Sequence, residues 1–187
     1  MVMSVNESNI IEVPVSPRLV EIARQEAAKI PNPLPNSIRE GEGTPVGFIG
    51  KLLVCQYLGT PLMKTTDFDT IHLSKRILVK TKACGSRPRP EYECSIAGFN
   101  TNQQCDYLAF TRVLGDYTRG WLLGYMPRLD YFRNATLRRA GEHDVDNNFS
   151  FHCDSYNLPI SRLYPIENLL PPKPKPKGKD GDLTSFF

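Results

Sequence analysis

Near the middle of the chain two acids and two lysines recur at strand-like spacing. Side chains alternate along a strand, so Asp67, Asp69 and Ile71 share one face of an extended run over 68–73 and the residue just before it. In the next run, 76–82, Leu78, Lys80 and Lys82 share one face, and Ile77, Val79 and Thr81 the other. A two-residue turn at Ser74-Lys75 sets Asp69 opposite Lys80 and Asp67 opposite Lys82. Carboxylates beside ammonium groups, rooted in a strand whose other face is apolar, form a polar site on a rigid platform. The plainer alternative is a solvated sheet face with cross-strand salt bridges, and the hairpin alone favours it.

The flanking segments must position this hairpin. Residues 1–15 read as irregular. A helix is expected from Ser16 and Pro17 to about Ile30, with Leu19, Ile22, Ala23, Ala27 and Ile30 as its apolar stripe. A second opens at Thr44-Pro45 and closes at Gly59, with Phe48, Leu52, Cys55 and Leu58 on one face. A third strand is expected over 92–97, a helical turn over 100–105, and strands over 107–114 and 121–126. A helix over 127–139, with Leu129, Phe132 and Leu137 apolar, and an edge strand over 149–153 complete the α/β domain, 16–170.

Composition is that of an ordinary globular domain, with 40% hydrophobic and 23% charged residues. The net charge of +3 permits a polyanionic partner without demanding one. No secretion signal and no membrane-length apolar run is present, so an intracellular protein (cytoplasm, nucleoid or nucleus) that is not secreted and has no membrane partner is expected. The five cysteines lack zinc-site spacing and read as small buried hydrophobes. Residues 142–148 lack the glycine and terminal glutamate of a calcium loop. His72, His143 and His152 show no partner pattern.

Four motifs follow in order: Gly47-Phe-Ile-Gly-Lys-Leu-Leu-Val-Cys-Gln-Tyr-Leu-Gly59, Asp67-Phe-Asp69, Ile77-Leu-Val-Lys-Thr81 and Gln103-Gln104-Cys-Asp-Tyr107. With them, the stretch from Gly47 to Asn157 resembles the PD-(D/E)XK nuclease superfamily. That resemblance implies a restriction-endonuclease-like core, a mixed central β-sheet flanked by helices. It also implies DNA cleavage with Mg²⁺ or Mn²⁺, in which carboxylates hold the ion and a lysine steadies the attacking water or the developing charge. It gives Asp69 or Asp67 the metal role, Lys80 the lysine role, and Gln104 the glutamine that follows on a short helix. Two positions depart from the family pattern, because Leu78 and Lys51 stand where acids are expected. Glu93 or Glu91, on the third strand, could supply a migrated acid. Two readings therefore stay open: a metal-dependent endonuclease, or a degenerate nuclease fold that binds without cutting. Many nucleases of this fold dimerise, so a homodimer also stays open.

Lys75, Arg76, Lys80, Lys82, Arg87 and Arg89 cluster in sequence, and Arg87-Pro-Arg-Pro90 is a stiff loop presenting two guanidinium groups. Lys82, Arg87 and Arg89 suit phosphate oxygens. Arg133, Arg138 and Arg139 read as a solvated helix face. The final stretch, 171–187, begins as a proline- and lysine-rich spacer that cannot form a core, a disordered linker and tail. It ends in Leu183-Thr-Ser-Phe-Phe187, which resembles the PIP box that docks on replication sliding clamps. Leu183, Phe186 and Phe187 match its apolar plug, and Asp180 replaces its glutamine. The implied partners are DNA and a sliding clamp.

Overall fold

A computed structural model describes residues 5–30, 44–144 and 149–171. The tail expected over 171–187, with Leu183, Phe186 and Phe187, lies outside the described residues apart from its first position.

Local chemistry fixes the helices as the sequence implies. In α1 (Pro17–Ala28) the Ser16 hydroxyl accepts from the Leu19 N–H, and in α2 (Pro45–Leu58) the Thr44 hydroxyl accepts from the Gly47 N–H. Gly59 ends α2 in the left-handed conformation, φ 67°. The buried faces differ from expectation. α1 buries only Ala23, while Ile22 is exposed. α2 buries Ile49, Leu53 and Val54 together with Cys55 and Leu58, and leaves Phe48 and Leu52 at the margin. Its small residues Gly47 and Gly50 are also buried, so α2 lies with its backbone close to the sheet.

The strands are β1 (Ile11–Pro14), β2 (Thr70–His72), β3 (Lys75–Cys84), β4 (Glu93–Ala97), β5 (Tyr107–Leu114), β6 (Arg119–Pro127), β7 (Thr136–Arg138), β8 (His143–Asp144), β9 (Phe149–Ser150) and β10 (Ser155–Pro159). A five-stranded mixed sheet runs β1-β6-β5-β3-β2; β3 and β5 are parallel and the other pairs antiparallel. A second sheet runs β4-β10-β7.

Two apolar layers result. Ile77 and Val79 of β3, with Ala109 and Val113 of β5, face α1 and α2. Leu78, Leu108, Phe110, Trp121 and Leu123 face the second sheet, where Ile96 and Leu158 meet them. α3 (Arg128–Asn134) plugs this second layer with Tyr131, which stacks on Phe110 with ring centroids 5.2 Å apart. The Tyr131 hydroxyl sits 3.0 Å from the Cys94 carbonyl and 2.8 Å from that of Tyr156, and burial pushes its pKa up.

Several expectations are corrected. Residues 11–14 are a strand, because their register with β6 (Ile11↔Leu122) half-buries Ile11 and Val13, a pairing that no local signal marks. The helix expected over 127–139 stops at Asn134: Ala135 is extended, Leu129 is 68% exposed, and β7 continues the chain. The helical turn expected over 100–105 is a 3-10 turn at Gly98–Asn100. The edge strand expected over 149–153 is only β9, and the strand that matters is β10, central in the second sheet.

The cysteine reading holds for three of five positions. Cys55, Cys94 and Cys105 are buried, and Cys84 and Cys153 are half-buried. Burial pushes the Cys94 thiol up to about 12 and those of Cys55 and Cys105 up to about 11. A water-soluble disulfide reagent at neutral pH should therefore modify Cys84 and Cys153 first in the native protein. Fast native labelling of Cys94, followed by peptide mapping, would contradict the packing between the two sheets.

Candidate functional site

The hairpin exists with a different register. Its turn is Leu73-Ser74, both at positive φ (47° and 63°), and Thr70 pairs with Ile77. Extending that register sets Asp69 opposite Leu78 and Asp67 opposite Lys80, two residues along β3 from the expected partners. Leu73-Ser74 carries no glycine or asparagine, so sequence signals alone point one residue too late.

Asp69 is 2% exposed and bound on three sides. Its N–H donates to the Ile77 carbonyl at 2.8 Å, and one carboxylate oxygen accepts from the Val79 N–H at 2.8 Å. The carboxylate thus continues the β2–β3 ladder where the strand itself has ended. Its other oxygen lies 2.9 Å from the Lys51 ammonium, whose side chain is 18% exposed and also lies over the Phe48 ring. Lys51 neutralises the one buried acid of the hairpin.

Asp67 and Lys80 meet a second group of residues. The Lys80 ammonium donates to Gln103 Oε1 at 2.9 Å, and Gln103 Nε2 donates to the Thr66 carbonyl at 2.6 Å. The Gln104 N–H donates to Asp67 at 3.3 Å, while the Gln104 side chain turns away to the Asn102 carbonyl. Gln103 is therefore the glutamine that reaches the lysine. Glu93 does not join either group. It lies on β4 in the second sheet, opposite Pro159, and its backbone carbonyl accepts from Arg112 at 3.1 Å. Among the described residues, no contact links Glu93 to Asp69 or Lys80, and no group of three or more His, Cys, Asp or Glu is arranged to hold a metal ion.

Does this donor set suit Mg²⁺ or Mn²⁺? A hard dication needs several free oxygen lone pairs. Both oxygens of Asp69 are engaged, one of them by a cation, and Leu78 offers none. An ammonium at 2.9 Å and a dication would repel each other at one carboxylate. Asp69 and Leu78 as arranged do not fit the ion, and no hydrolytic step is drawn through them.

The basic residues divide by partner. Arg76 is tied to Asp106 at 3.1 Å, and its hydrogen bonds hold the Asp106 carboxyl below its ordinary value. Arg87 reaches Glu12 at 3.3 Å, and Arg89 reaches Glu91 at 3.8 Å. The Arg87 and Arg89 pairs are exposed, so each is weak and readily exchanged. Arg133, Arg138 and Arg139 pair with Asp130, Glu142 and Asp154. Lys82 is exposed at the end of β3. Beside it stands Arg112, which sequence reasoning missed; only the parallel register Lys82↔Arg112 reveals it.

No helix among the described residues is long and apolar enough to cross a membrane. No known protein-family model matches the chain, and no curated protein matches it.

Proposed function

We propose that this chain is a divergent nuclease-fold protein that binds DNA without cutting it and carries a sliding-clamp hook at its end. The observation that carries the reading is the Lys51 ammonium 2.9 Å from the Asp69 carboxylate, with Leu78 opposite. A cation built into the protein takes the place where a nuclease would need a free acid. Lys80 and Lys82 leave β3 on the face opposite α2, and their charge supports a phosphate-binding role there. The order of the motifs from Gly47 to Tyr107 supports the restriction-endonuclease-like reading of the mixed sheet, and the sequence of 183–187 supports the clamp contact. Tethering to a clamp would raise the local concentration at DNA without any change in the site.

The test is incubation of labelled duplex, flap and four-way-junction DNA with the full chain, in EDTA, Mg²⁺ or Mn²⁺. Retention on at least one substrate in every buffer, with no cut products, is expected. Metal-dependent cutting that Lys80→Ala abolishes would sink the non-cleaving reading and restore the endonuclease.

A further inference from the structure

One row of side chains crosses four strands of the large sheet on the face that meets the second sheet. Glu12 of β1 is in register with Trp121 of β6, Trp121 with Arg112 of β5, and Arg112 with Lys82 of β3. At about 4.8 Å per strand the row is about 14 Å long, the axial length of about four phosphates of one DNA strand.

The two ends of the row differ in charge balance. At one end Lys82 and Arg112 stand side by side, two cations with no ion pair to either among the described residues. Like charges in direct register weaken a sheet. Arg112 is nevertheless held firmly: its guanidinium donates to the Glu93 carbonyl at 3.1 Å and lies 5.2 Å from the centroid of the Tyr92 ring. An oriented guanidinium beside a free ammonium is a seat for an anion with several oxygens.

At the other end a single carboxylate occupies a cationic cradle. Glu12 accepts from Arg87 at 3.3 Å, from Arg119 at 3.3 Å and from the Trp121 indole N–H at 3.2 Å. Trp121 is 2% exposed, so its N–H needs that acceptor. Both arginines are more than half exposed. Two guanidinium groups and an N–H converging on an anion describe a phosphate cradle in which Glu12 holds the phosphate's place. The loop that carries Arg87 and Tyr92 joins the two ends.

We propose that Lys82 with Arg112, and Arg87 with Arg119, are two phosphate subsites of one track across the sheet, with Glu12 occupying the second as a removable stand-in. This rests on the nucleic-acid reading above and names the residues that would carry it. The ligand is a phosphodiester chain; inorganic polyphosphate shares its chemistry and serves as the second probe.

The experiment measures fluorescence anisotropy of a labelled oligonucleotide duplex against salt, with tripolyphosphate as a parallel ligand. Lys82→Ala and Arg119→Ala alter exposed residues, and Glu12→Gln keeps an acceptor for the Trp121 indole. Thermal melts of all three variants check the fold. Each alanine variant should lower affinity and reduce the salt slope by about one. Glu12→Gln should raise affinity roughly three- to fivefold at low salt, the range expected for freeing exposed pairs. If the wild type binds DNA and all three variants bind it unchanged, the track is overturned while the DNA reading survives. If the wild type binds tripolyphosphate through Lys82 but binds no DNA, the subsites stand and the DNA reading falls. Binding of neither probe overturns both.

Discussion

Asp69→Ala should cost about 3–5 kcal/mol of folding stability, the range for removing one partner of a buried ion pair. The substitution strips two groups at once. Lys51, whose side chain is only 18% exposed, loses its counter-charge, and the Val79 N–H loses its acceptor. An exposed pair would cost about 1 kcal/mol or less, so urea unfolding separates the two cases clearly. Asp69→Asn should cost less than Asp69→Ala, because its side-chain oxygen can still accept from Val79. The pair Lys51→Met with Asp69→Asn should cost less than the sum of its single changes, since no unpaired charge then stays buried. A loss below about 1 kcal/mol for Asp69→Ala would mean that the carboxylate is not a structural fixture. The acid would then be free for other chemistry.

The second large effect is expected at Gly50. A Cβ there would lie 2.0 Å from the Thr81 hydroxyl and 2.4 Å from that of Thr111, far inside contact distance. Those hydroxyls are 2.9 Å apart and bonded to each other, with Thr81 also reaching toward the Gly47 carbonyl at 3.5 Å. Neither side chain is a loose end that can swing away. Gly50→Ala gains helix propensity, about 1 kcal/mol, but forces α2 off the sheet, and overpacking of a tight interface costs about 1–3 kcal/mol or more. A net loss of about 2 kcal/mol is the expected result. In a background of Thr81→Ala with Thr111→Ala the same change should cost much less, because the atoms it strikes are gone. An unchanged cost in that background would mean that the clash does not explain it.

These two sites show what the sequence could and could not tell. The ends of α2 were legible, since Thr44, Pro45 and Gly59 are chemical signals acting within a turn. Its buried face was not legible. Nearly every position from Val46 to Leu58 is apolar or small, so periodicity offers no single stripe, and the sheet beneath selects Ile49, Leu53 and Val54. The hairpin strands could be read from alternation, but Leu73-Ser74 is an unusual turn pair, and a shift of one residue in the turn moved every cross-strand partner by two. For that reason the alternation matches Asp69 with Lys80, although its cation is Lys51. Lys80 meets Gln103 rather than the Gln104 that the resemblance implies, and Gln104 reaches Asp67 only through its backbone N–H. Glu93 lies on a strand of the second sheet, and nothing in a strand's sequence says which sheet it joins. β1 and β10 are hidden for the same reason: their partners are not the strands next to them in the chain, and short segments carry little pattern of their own.

The pairing of β1 with β6 also bears on how the chain is made. Glu12 and Trp121 are 109 residues apart. At a synthesis rate of about 5–20 residues per second, β1 leaves the ribosome about 5–20 s before its partner exists. During that interval Ile11 and Val13 have no sheet to face. The alternating acid at Glu12 and the proline at Pro14 then work as gatekeepers, keeping a nascent edge from pairing with other chains. The carboxylate that caps a row of side chains in the finished sheet thus protects the unfinished one.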